Sequence, residues 1–289
     1  MRKALHKSSI PESKTFLLKE LNDSHFDPVW HAHSEYQLFV VLEGTGTRFI
    51  GETVNAFRPG ELILLGPHLP HLWRSDERYF DRNSGERTHG IVLYLDEHFP
   101  GNEMVDKDEF VQVRKLLQRA RHGIQFTGRK KDDAIELMRE MLTHKGMESI
   151  VLLFKLFHLL SGLRNSETIC HSAYQEPYQK NEAQRMNIVY DHVMKNFSRQ
   201  IPLAELAALV HMTPSSFSRY FTTRNNKTVS DFLKEVRIAQ ACKRLTDTDD
   251  LIADISYTCG FNTFSNFNVQ FRELVGCRPS EYRRRMMML

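Results

Sequence analysis

The chain has 289 residues, of which 41% are hydrophobic and 26% are charged, and its formal net charge is +3. This length suffices for two domains, and the composition excludes extensive disorder. The most hydrophobic segment, Ile150 to Leu160, contains Lys155 and His158 and is too short for a membrane span. The polar N-terminus lacks the apolar stretch of a signal peptide, and the four cysteines lie far apart. We therefore expect a cytoplasmic protein that does not enter a membrane.

The charge is unevenly divided along the chain. Residues 183–289 carry 15 Lys plus Arg against 10 Asp plus Glu, whereas residues 1–182 carry 24 against 26. A basic segment behind a slightly acidic one is a weak indication of nucleic-acid binding. A solvated helical surface explains the same charges equally well.

Short strands are predicted between about Lys14 and Asp96. The run from Tyr36 to Leu42 is rich in β-branched and aromatic residues, and a Glu-Gly-Thr-Gly turn follows it. Similar runs from Thr53 to Phe57 and from His89 to Leu95 are also separated by turn residues. Strands of this length with Gly and Pro between them are typical of a sandwich or barrel.

The hydrophobic period changes to that of helices between Asp108 and Arg164. The last of these helices, Glu148 to Leu163, is apolar around most of its surface. Such a helix must be covered on several sides, either by the β domain or by a second chain. The segment from Asn165 to Glu182 has no periodicity and contains a proline, which predicts a linker between domains.

A helix-turn-helix pattern occurs twice in the C-terminal third. In each copy an apolar stripe is followed by a short break, a capping threonine and a second helix with two buried phenylalanines. These features are Leu203, Leu206, Ala207, Val210, Thr213, Phe217 and Phe221 in the first copy, and Ile252, Ile255, Cys259, Thr263, Phe267 and Phe271 in the second. Between them Ser230 is predicted to cap a long helix through Leu245. A single copy could be a structural helical hairpin, but two copies with a basic surplus favour DNA binding.

Four stretches resemble a known family. LAELAALVHMTPSSFSRYF and ISYTCGFNTFSNFNVQFRELVGCRPSEYRR resemble the DNA-binding domain of the AraC/XylS transcriptional regulators. HAHSEYQLFVVLEGTGT and RPGELILLGPHLPH resemble the cupin-type sensor domain that is often joined to it. The resemblance implies an α+β protein with a cupin-like β barrel and following helices, for effector sensing and dimerisation, over residues 1–164. It also implies a linker over residues 165–182 and an all-α domain with two helix-turn-helix motifs over residues 183–289.

The same resemblance implies a function. The chain would be a bacterial, ligand-responsive, sequence-specific DNA-binding regulator, with activation favoured over repression. Its partners would be promoter DNA, RNA polymerase, a second copy of the chain, and a small-molecule effector for which a sugar is one candidate. No cofactor and no enzymatic activity are expected.

The resemblance also places the DNA contacts on the exposed face of the second helix of each motif. Arg219 has the geometry to pair with guanine or bind a phosphate, and Asn266 has the geometry to pair with an adenine edge. Because the family frequently has arginine at the position of Val269, the second helix is expected to read bases weakly. The full set is Ser215, Ser218 and Arg219 in the first motif and Phe264, Ser265, Asn266 and Val269 in the second.

Three histidines of the sensor region invite a site prediction. His31 and His33 are two residues apart and share one face of a strand, and His71 lies in a later PHLPH segment. Cupin enzymes bind a divalent metal through such a set together with a glutamate, where this chain has Gln37. A neutral amide is a weaker ligand, so we predict no metal and assign His31, His33, Gln37 and His71 to an effector site.

Three interpretations of the sensor region stay open. The histidines line an effector pocket, hold a metal, or form hydrogen bonds within the barrel mouth. A metal-dependent cupin enzyme with an accessory DNA-binding domain is therefore the main alternative function. A DNA-binding protein whose barrel is purely structural is a third.

Overall fold

A computed structural model of the chain describes residues 10–81, 83–171 and 180–287. Strands dominate its N-terminal part and helices its C-terminal part, which confirms the predicted α+β class. The strands are β1 (Phe16–Asp23), β2 (Tyr36–Glu43), β3 (Gly46–Ile50), β4 (Thr53–Phe57), β5 (Leu62–Leu65), β6 (His71–Ser75), β7 (Thr88–Leu95), β8 (Ile124–Phe126) and β9 (Ser166–Thr168). The helices are α1 (Asn102–Val105), α2 (Val111–Ala120), α3 (Lys131–Thr143), α4 (Met147–Gly162), α5 (Lys180–Asn196), α6 (Leu203–Leu209), α7 (Pro214–Asn225), α8 (Val229–Asp247), α9 (Ile252–Thr258), α10 (Phe264–Val275) and α11 (Pro279–Met286).

The strands form two sheets in the described part of the chain. One has the order β1-β7-β2-β5-β8-β9, and the other has the order β4-β3-β6. In the larger sheet β2 is antiparallel to both of its neighbours, with Phe39 opposite Val92 on one side and Ile63 on the other. Among these residues the sheets are not hydrogen-bonded into a closed cylinder, because β1 and β9 remain edge strands. The predicted barrel is therefore an open pair of sheets.

The alternation of side chains gives the larger sheet two different faces. One face shares an apolar core with α2, α3 and α4, to which β2, β5 and β7 contribute Leu38, Val40, Leu62, Leu64, Ile91, Leu93 and Leu95. The opposite face carries Phe39, Val92 and Tyr94, which line a cavity. This division places the cavity away from the helices.

Helix α4 packs within its own chain, against α2 and α3. Leu153, Leu156 and Phe157 are fully buried in the core that these helices share with the larger sheet. Met147 and Val151, near its N-terminus, are 75% and 60% exposed. The core of its own chain thus accounts for the buried side of this apolar helix. In the described residues no helix combines the length and apolar character that a membrane span requires.

Part of the segment predicted as a linker has regular structure. Ser166–Thr168 forms β9, which pairs with β8 from Ser166 opposite Phe126 to Thr168 opposite Ile124. Its side chains are exposed or half-buried, so the sequence contains no hydrophobic pattern from which a strand could be predicted. Residues 172–179 of the predicted linker lie outside the described residues.

The chain forms two compact units that cannot be separated at one point in the sequence. The first comprises Met1–Gly46 and Phe57–Tyr178, and the second comprises Thr47–Ala56 and Gln179–Leu289. In the second unit the ring of Phe49 stacks on Tyr190 of α5 at 5.1 Å and lies 5.9 Å from Phe232 of α8, between ring centroids. The hairpin of β3 and β4 thus contributes a buried aromatic ring to the helical unit. The division at residues 164 and 183 stays a prediction.

Both helix-turn-helix motifs are present, with the predicted caps. Thr213 Oγ1 accepts from the backbone N–H of Ser216 at 3.3 Å, and Thr263 Oγ1 accepts from that of Asn266 at 3.2 Å. The cap of α8 differs from the prediction, because Thr228 accepts from the N–H of Asp231, which places Ser230 inside the first turn. The helix has 19 residues and spans about 28 Å at 1.5 Å per residue.

The turn of the second motif depends on a glycine. Gly260 has a φ of +87°, and a Cβ there would lie 2.7 Å from the backbone oxygen of Ser198. Glycine therefore meets a conformational and a steric requirement at once. Asn226, at the end of α7, has a φ of 51°, the left-handed conformation that its side chain tolerates.

Candidate functional site

The four side chains predicted to bind an effector come together in the first unit. His31 and His71 form an antiparallel bridge, in which the N–H of His71 donates to the carbonyl of His31 at 2.8 Å. Gln37 extends from β2 toward them, and its Oε1 lies 3.0 Å from His33 Nε2 and 3.2 Å from His71 Nε2. One nitrogen of each imidazole lies within 4.8 Å of the other two. Residues from three segments of the sequence therefore form one cluster.

Each imidazole is oriented by a backbone carbonyl. Nδ1 donates to the carbonyl of Val29 from His31, of Glu35 from His33 and of Leu69 from His71, at 2.7, 3.0 and 2.8 Å. A carbonyl oxygen only accepts, so Nδ1 carries the hydrogen in all three rings. Burial lowers the pKa of the His33 imidazole, although Gln37 and Glu35 oppose this effect. Burial thus favours the neutral ring of His33.

A cavity of about 180 Å³ adjoins the cluster and is lined by His31, Gln37 and His71 together with apolar and charged side chains. The indole Nε1 of Trp73 is buried at its wall and has no hydrogen-bond partner among the described residues. Burial raises the pKa of Tyr94, so its hydroxyl keeps its proton. The other lining residues are Lys19, Leu21, Asp23, Phe26, Asp27, Phe39 and Val92.

Sequence reasoning did not single out Tyr94 or Lys19 as site residues. Tyr94 lies directly opposite Gln37 in the β2–β7 pair, and Lys19 lies opposite Val92 in the β1–β7 pair. The alternation within β7 shows that Val92 and Tyr94 share a face. It does not show which residues of the neighbouring strands lie beside them, because the pairing register joins residues far apart in the sequence.

Helix α7 is the second helix of the first motif and one of the two reading helices, the helices predicted to contact DNA bases. Ser215 and Arg219 are exposed and Ser218 is half-buried, whereas Phe217 and Phe221 are fully buried on the other face. Ser215 and Arg219 are four residues apart on α7, so they lie on the same side of the helix. This surface has the polar groups that a major-groove contact requires.

The second reading helix, α10, has a different surface. Phe264, Ser265, Asn266 and Val269 are all exposed, and Val269 has 67% of its surface accessible. Asn266 Oδ1 accepts from Nε2 of Gln270 at 2.8 Å, one turn along the helix. Sequence reasoning missed Gln270, although its spacing of four residues from Asn266 is the signal that would have found it. The two amides and Ser265 are the polar groups of a face that also carries the exposed apolar side chains of Phe264 and Val269.

A second cavity, of about 590 Å³, lies between the two motifs within the helical unit. Ser218 of α7, Ser230 and Arg237 of α8, and Asn262 before α10 line it. The Arg237 guanidinium donates to the carbonyls of Phe197 and Arg199, both at 2.8 Å, and burial lowers its pKa. Helix α8 therefore joins the two motifs and also fixes the loop before α6.

Two family models match the chain. Residues 16–100 match the model described as an AraC-like ligand binding domain, and residues 206–285 match one described as a helix-turn-helix domain. Together they span more than half of the sequence. The first match includes the histidine cluster, and the second includes both reading helices.

Relatives match along most of the chain. The HTH-type transcriptional activator RhaR of Mannheimia succiniciproducens is 19% identical over 272 residues, covering 91% of this chain and 90% of the relative. The HTH-type transcriptional activator RhaS of Klebsiella pneumoniae is 22% identical over 264 residues, covering 88% and 86%.

Solved structures give weaker likenesses. The DNA-binding domain of AdpA in complex with a target DNA is 25% identical, with a TM-score of 0.32, covering 33% of this chain and 86% of that one. ToxT from Vibrio cholerae is 14% identical, with a TM-score of 0.36, covering 93% and 98%. Scores this low support no argument about this chain.

A β-sheet domain with a polar cavity, followed by two capped helix-turn-helix motifs, defines a ligand-responsive DNA-binding transcription regulator. The matched domains and the relatives assign the chain to a family: it belongs to the AraC-type transcriptional regulators.

Proposed function

We propose that the cavity beside His31, His33, Gln37 and His71 binds a small polyhydroxylated effector, with a sugar as the leading candidate, and that this binding changes the affinity for promoter DNA. The observation that carries the proposal is the convergence of His31, Gln37 and His71 on one wall of a 180 Å³ cavity, with His33 in contact with Gln37. Pockets that bind small molecules combine apolar walls with a few placed polar groups. No catalytic step is assigned to this site.

The chemistry of the wall supports a hydroxylated ligand. Asp23 and Asp27 offer acceptors, while Lys19 offers donors. The rings of Phe39 and Trp73 are edge-to-face, 4.8 Å apart, and form an apolar wall against which the C–H face of a sugar ring fits.

The proposal assigns DNA reading to two helices. In α7 the contacts are Ser215, Ser218 and Arg219, and in α10 they are Phe264, Ser265, Asn266 and Val269. Residues 183–289 form the DNA-binding domain and residues 1–164 sense the effector and dimerise, joined by the linker. Since both relatives named above are called activators, we expect this chain to activate transcription as a homodimer that contacts RNA polymerase.

The test is promoter affinity with and without added sugars. Thermal denaturation against a panel of aldohexoses, deoxyhexoses and pentoses, each at 10 mM, identifies a ligand by its rise in Tm. With that ligand, wild-type protein should change its DNA affinity, and the His33→Ala, His71→Ala double variant should not. His98→Ala, at an exposed position after β7, is the matched control. A double variant that still binds the sugar and responds to it would place the effector site elsewhere.

A further inference from the structure

We propose that a third cavity, in the first unit, binds a small organic monocarboxylate through Arg114 and Arg121. This carboxylate cavity has a volume of about 280 Å³ and lies where the loop after β7, α1 and α2 meet the start of β2. Tyr36 lines it, whereas the next residue, Gln37, lines the effector cavity. Neighbouring residues of a strand point to opposite faces of its sheet, so the two cavities are separate sites.

Helix α2 places polar side chains on the wall of the carboxylate cavity. Arg114, Gln118 and Arg121 all line it, and their spacing of four and then three residues puts them on one face of the helix. Arg121 directly follows the last residue of α2 and keeps helical dihedral angles. A guanidinium group forms paired, charge-assisted hydrogen bonds with a carboxylate. This face of α2 therefore has the chemistry of an anion site.

The guanidinium of Arg114 is held by the protein but keeps donors for a ligand. Its Nη1 donates to the carbonyl of Val105 at 2.9 Å and lies 3.6 Å from Oδ1 of Asp106, whose side chain is 80% exposed. Among the described residues, Nε and Nη2 of this half-buried arginine have no partner. The contact with Val105 fixes the group, so binding a carboxylate through the remaining N–H groups orders little more of the side chain.

Tyr36 adds a hydroxyl group beside Arg121. Its side chain is buried, and burial raises the pKa of the hydroxyl, although the charge and hydrogen bond of Arg121 oppose this effect. The hydroxyl therefore keeps its proton at neutral pH. It can accept a hydrogen bond from Arg121 and donate one to a ligand oxygen.

The charges of the lining favour an anion with a single negative charge. The lining has two guanidinium groups and one carboxylate, that of Glu97, so one positive charge is in surplus when the histidines are neutral. Oε1 of Glu97 lies 3.7 Å from Nε2 of His98, and its Oε2 lies 3.9 Å from Nε2 of His68. A monocarboxylate balances this surplus, whereas a phosphate dianion exceeds it.

The apolar part of the lining fits the hydrocarbon part of such a ligand. Phe99 and Leu117 belong to the buried core of the first unit and also line the carboxylate cavity. Apolar walls with a few placed polar groups are typical of sites for small organic molecules. The ligand class is therefore a carboxylate with a short apolar body.

The experiment is a calorimetric titration of the full-length protein in low-salt buffer. The probes are butanoate, its neutral analogue butanamide, and inorganic phosphate. We expect butanoate to bind at a single site with a Kd of about 1 mM or tighter, an affinity within reach of so small a ligand. Butanamide and phosphate should bind at least about tenfold more weakly. No butanoate binding, equal binding of butanamide, or tighter binding of phosphate would each overturn the proposal.

Two variants test the arginines. Arg121→Ala removes a charge, and Arg114→Lys keeps the charge but removes the paired donors, so each should weaken butanoate binding by about tenfold or more. Arg119→Ala is the matched control, because Arg119 is an exposed arginine of α2 outside the lining and donates to Oγ of Ser166 at 2.9 Å. It should change butanoate affinity by less than about twofold.

A gain of affinity guards against misfolding. Replacing Arg114 removes its contact with Val105 and could disturb the fold. Glu97→Gln should instead tighten butanoate binding by about threefold or more, because it removes the negative charge of the lining, and a misfolded site cannot show this gain. Equal butanoate affinity in wild type, Arg121→Ala and Glu97→Gln would overturn the proposal. These titrations use neither DNA nor sugar, so their outcome is independent of the proposed function.

Discussion

Arg219 of α7 can contact DNA through a base or through a phosphate, and the two contacts have different effects on binding. The side chain is exposed, while its neighbours Phe217 and Phe221 are buried. If the guanidinium pairs with a base, Arg219→Ala should cost about 1–3 kcal/mol and relax sequence preference at one position. If it binds only a phosphate, affinity should fall evenly across sequences and the salt slope should fall by about one.

Both outcomes are measured by binding titrations over several salt concentrations on a site library. Arg139→Ala is the matched control, because Arg139 is an exposed arginine on α3. An Arg219→Ala protein with unchanged affinity, salt slope and sequence preference would show that this face of α7 does not contact DNA.

Val269 allows a gain-of-function prediction. It is 67% exposed on α10 and offers DNA only methyl groups. Val269→Arg should add a guanine contact or a phosphate contact and tighten binding by about 1–3 kcal/mol at sites with a suitably placed guanine. Selection of sites from a random library by both proteins measures the change. Identical preferred sites and affinities would mean that α10 does not lie in the major groove.

The effector site shows which residues a sequence reveals. His31 and His33 are two positions apart, which predicts that they share one face of a strand. In the structure both lie before β2, and His31 forms only an isolated bridge with His71. His71 and Gln37 follow from the resemblance to cupin sequences. Tyr94 and Lys19 reach the same cavity only through the pairing of β1, β7 and β2, and no local pattern encodes that register. Trp73 lies two positions after His71 on β6, so the alternation of that strand places both on one face.

Helix α4 offers a test of dimerisation at the scale of one element. Its buried side packs against α2 and α3 in the core of the first unit, and Met147 and Val151 leave an apolar strip exposed. If this strip joins two copies, Val151→Asp should shift the protein toward monomer in sedimentation experiments and leave Tm nearly unchanged. Leu153→Ala, at a fully buried position, should instead cost about 2–5 kcal/mol in the free energy of unfolding.

The two substitutions distinguish a dimer contact by the exposed side of α4 from packing of its buried side in the core. A dimer that survives Val151→Asp would require a different interface. A Leu153→Ala protein as stable as wild type would contradict the described packing.

The capped helices were the most predictable elements. The sequence predicts Thr213 and Thr263 as caps because the signal lies within a few residues of each helix start. It predicts the start of α8 two residues too late, because Thr228 and Ser230 are both good caps. It contains no signal for β9, since only backbone pairing with β8 defines this strand.

The spacing of the two motifs makes a prediction about the whole DNA-binding region. Helix α8 packs against both α7 and α10 and spans about 28 Å. Two reading helices joined in this way should protect two major-groove segments about one turn, roughly 34 Å, apart. Hydroxyl-radical footprinting of the full-length protein on a selected site measures the pattern. Protection of a single groove would count against reading by both motifs.

The grouping of Thr47–Ala56 with the helices has a consequence for the path of the chain. The polypeptide passes between the two units three times, after Gly46, Ala56 and Tyr178. A protease cut between β9 and α5 should therefore leave a nicked protein whose fragments co-elute, because the N-terminal fragment keeps Phe49 and the other keeps its partners Tyr190 and Phe232. Phe49→Ala, at a buried ring, should weaken this complementation by about 3–5 kcal/mol and release the fragments. A helical fragment expressed from residue 183 alone should unfold at a lower temperature than the same fragment in the nicked complex, and supplying the missing half in trans should restore it.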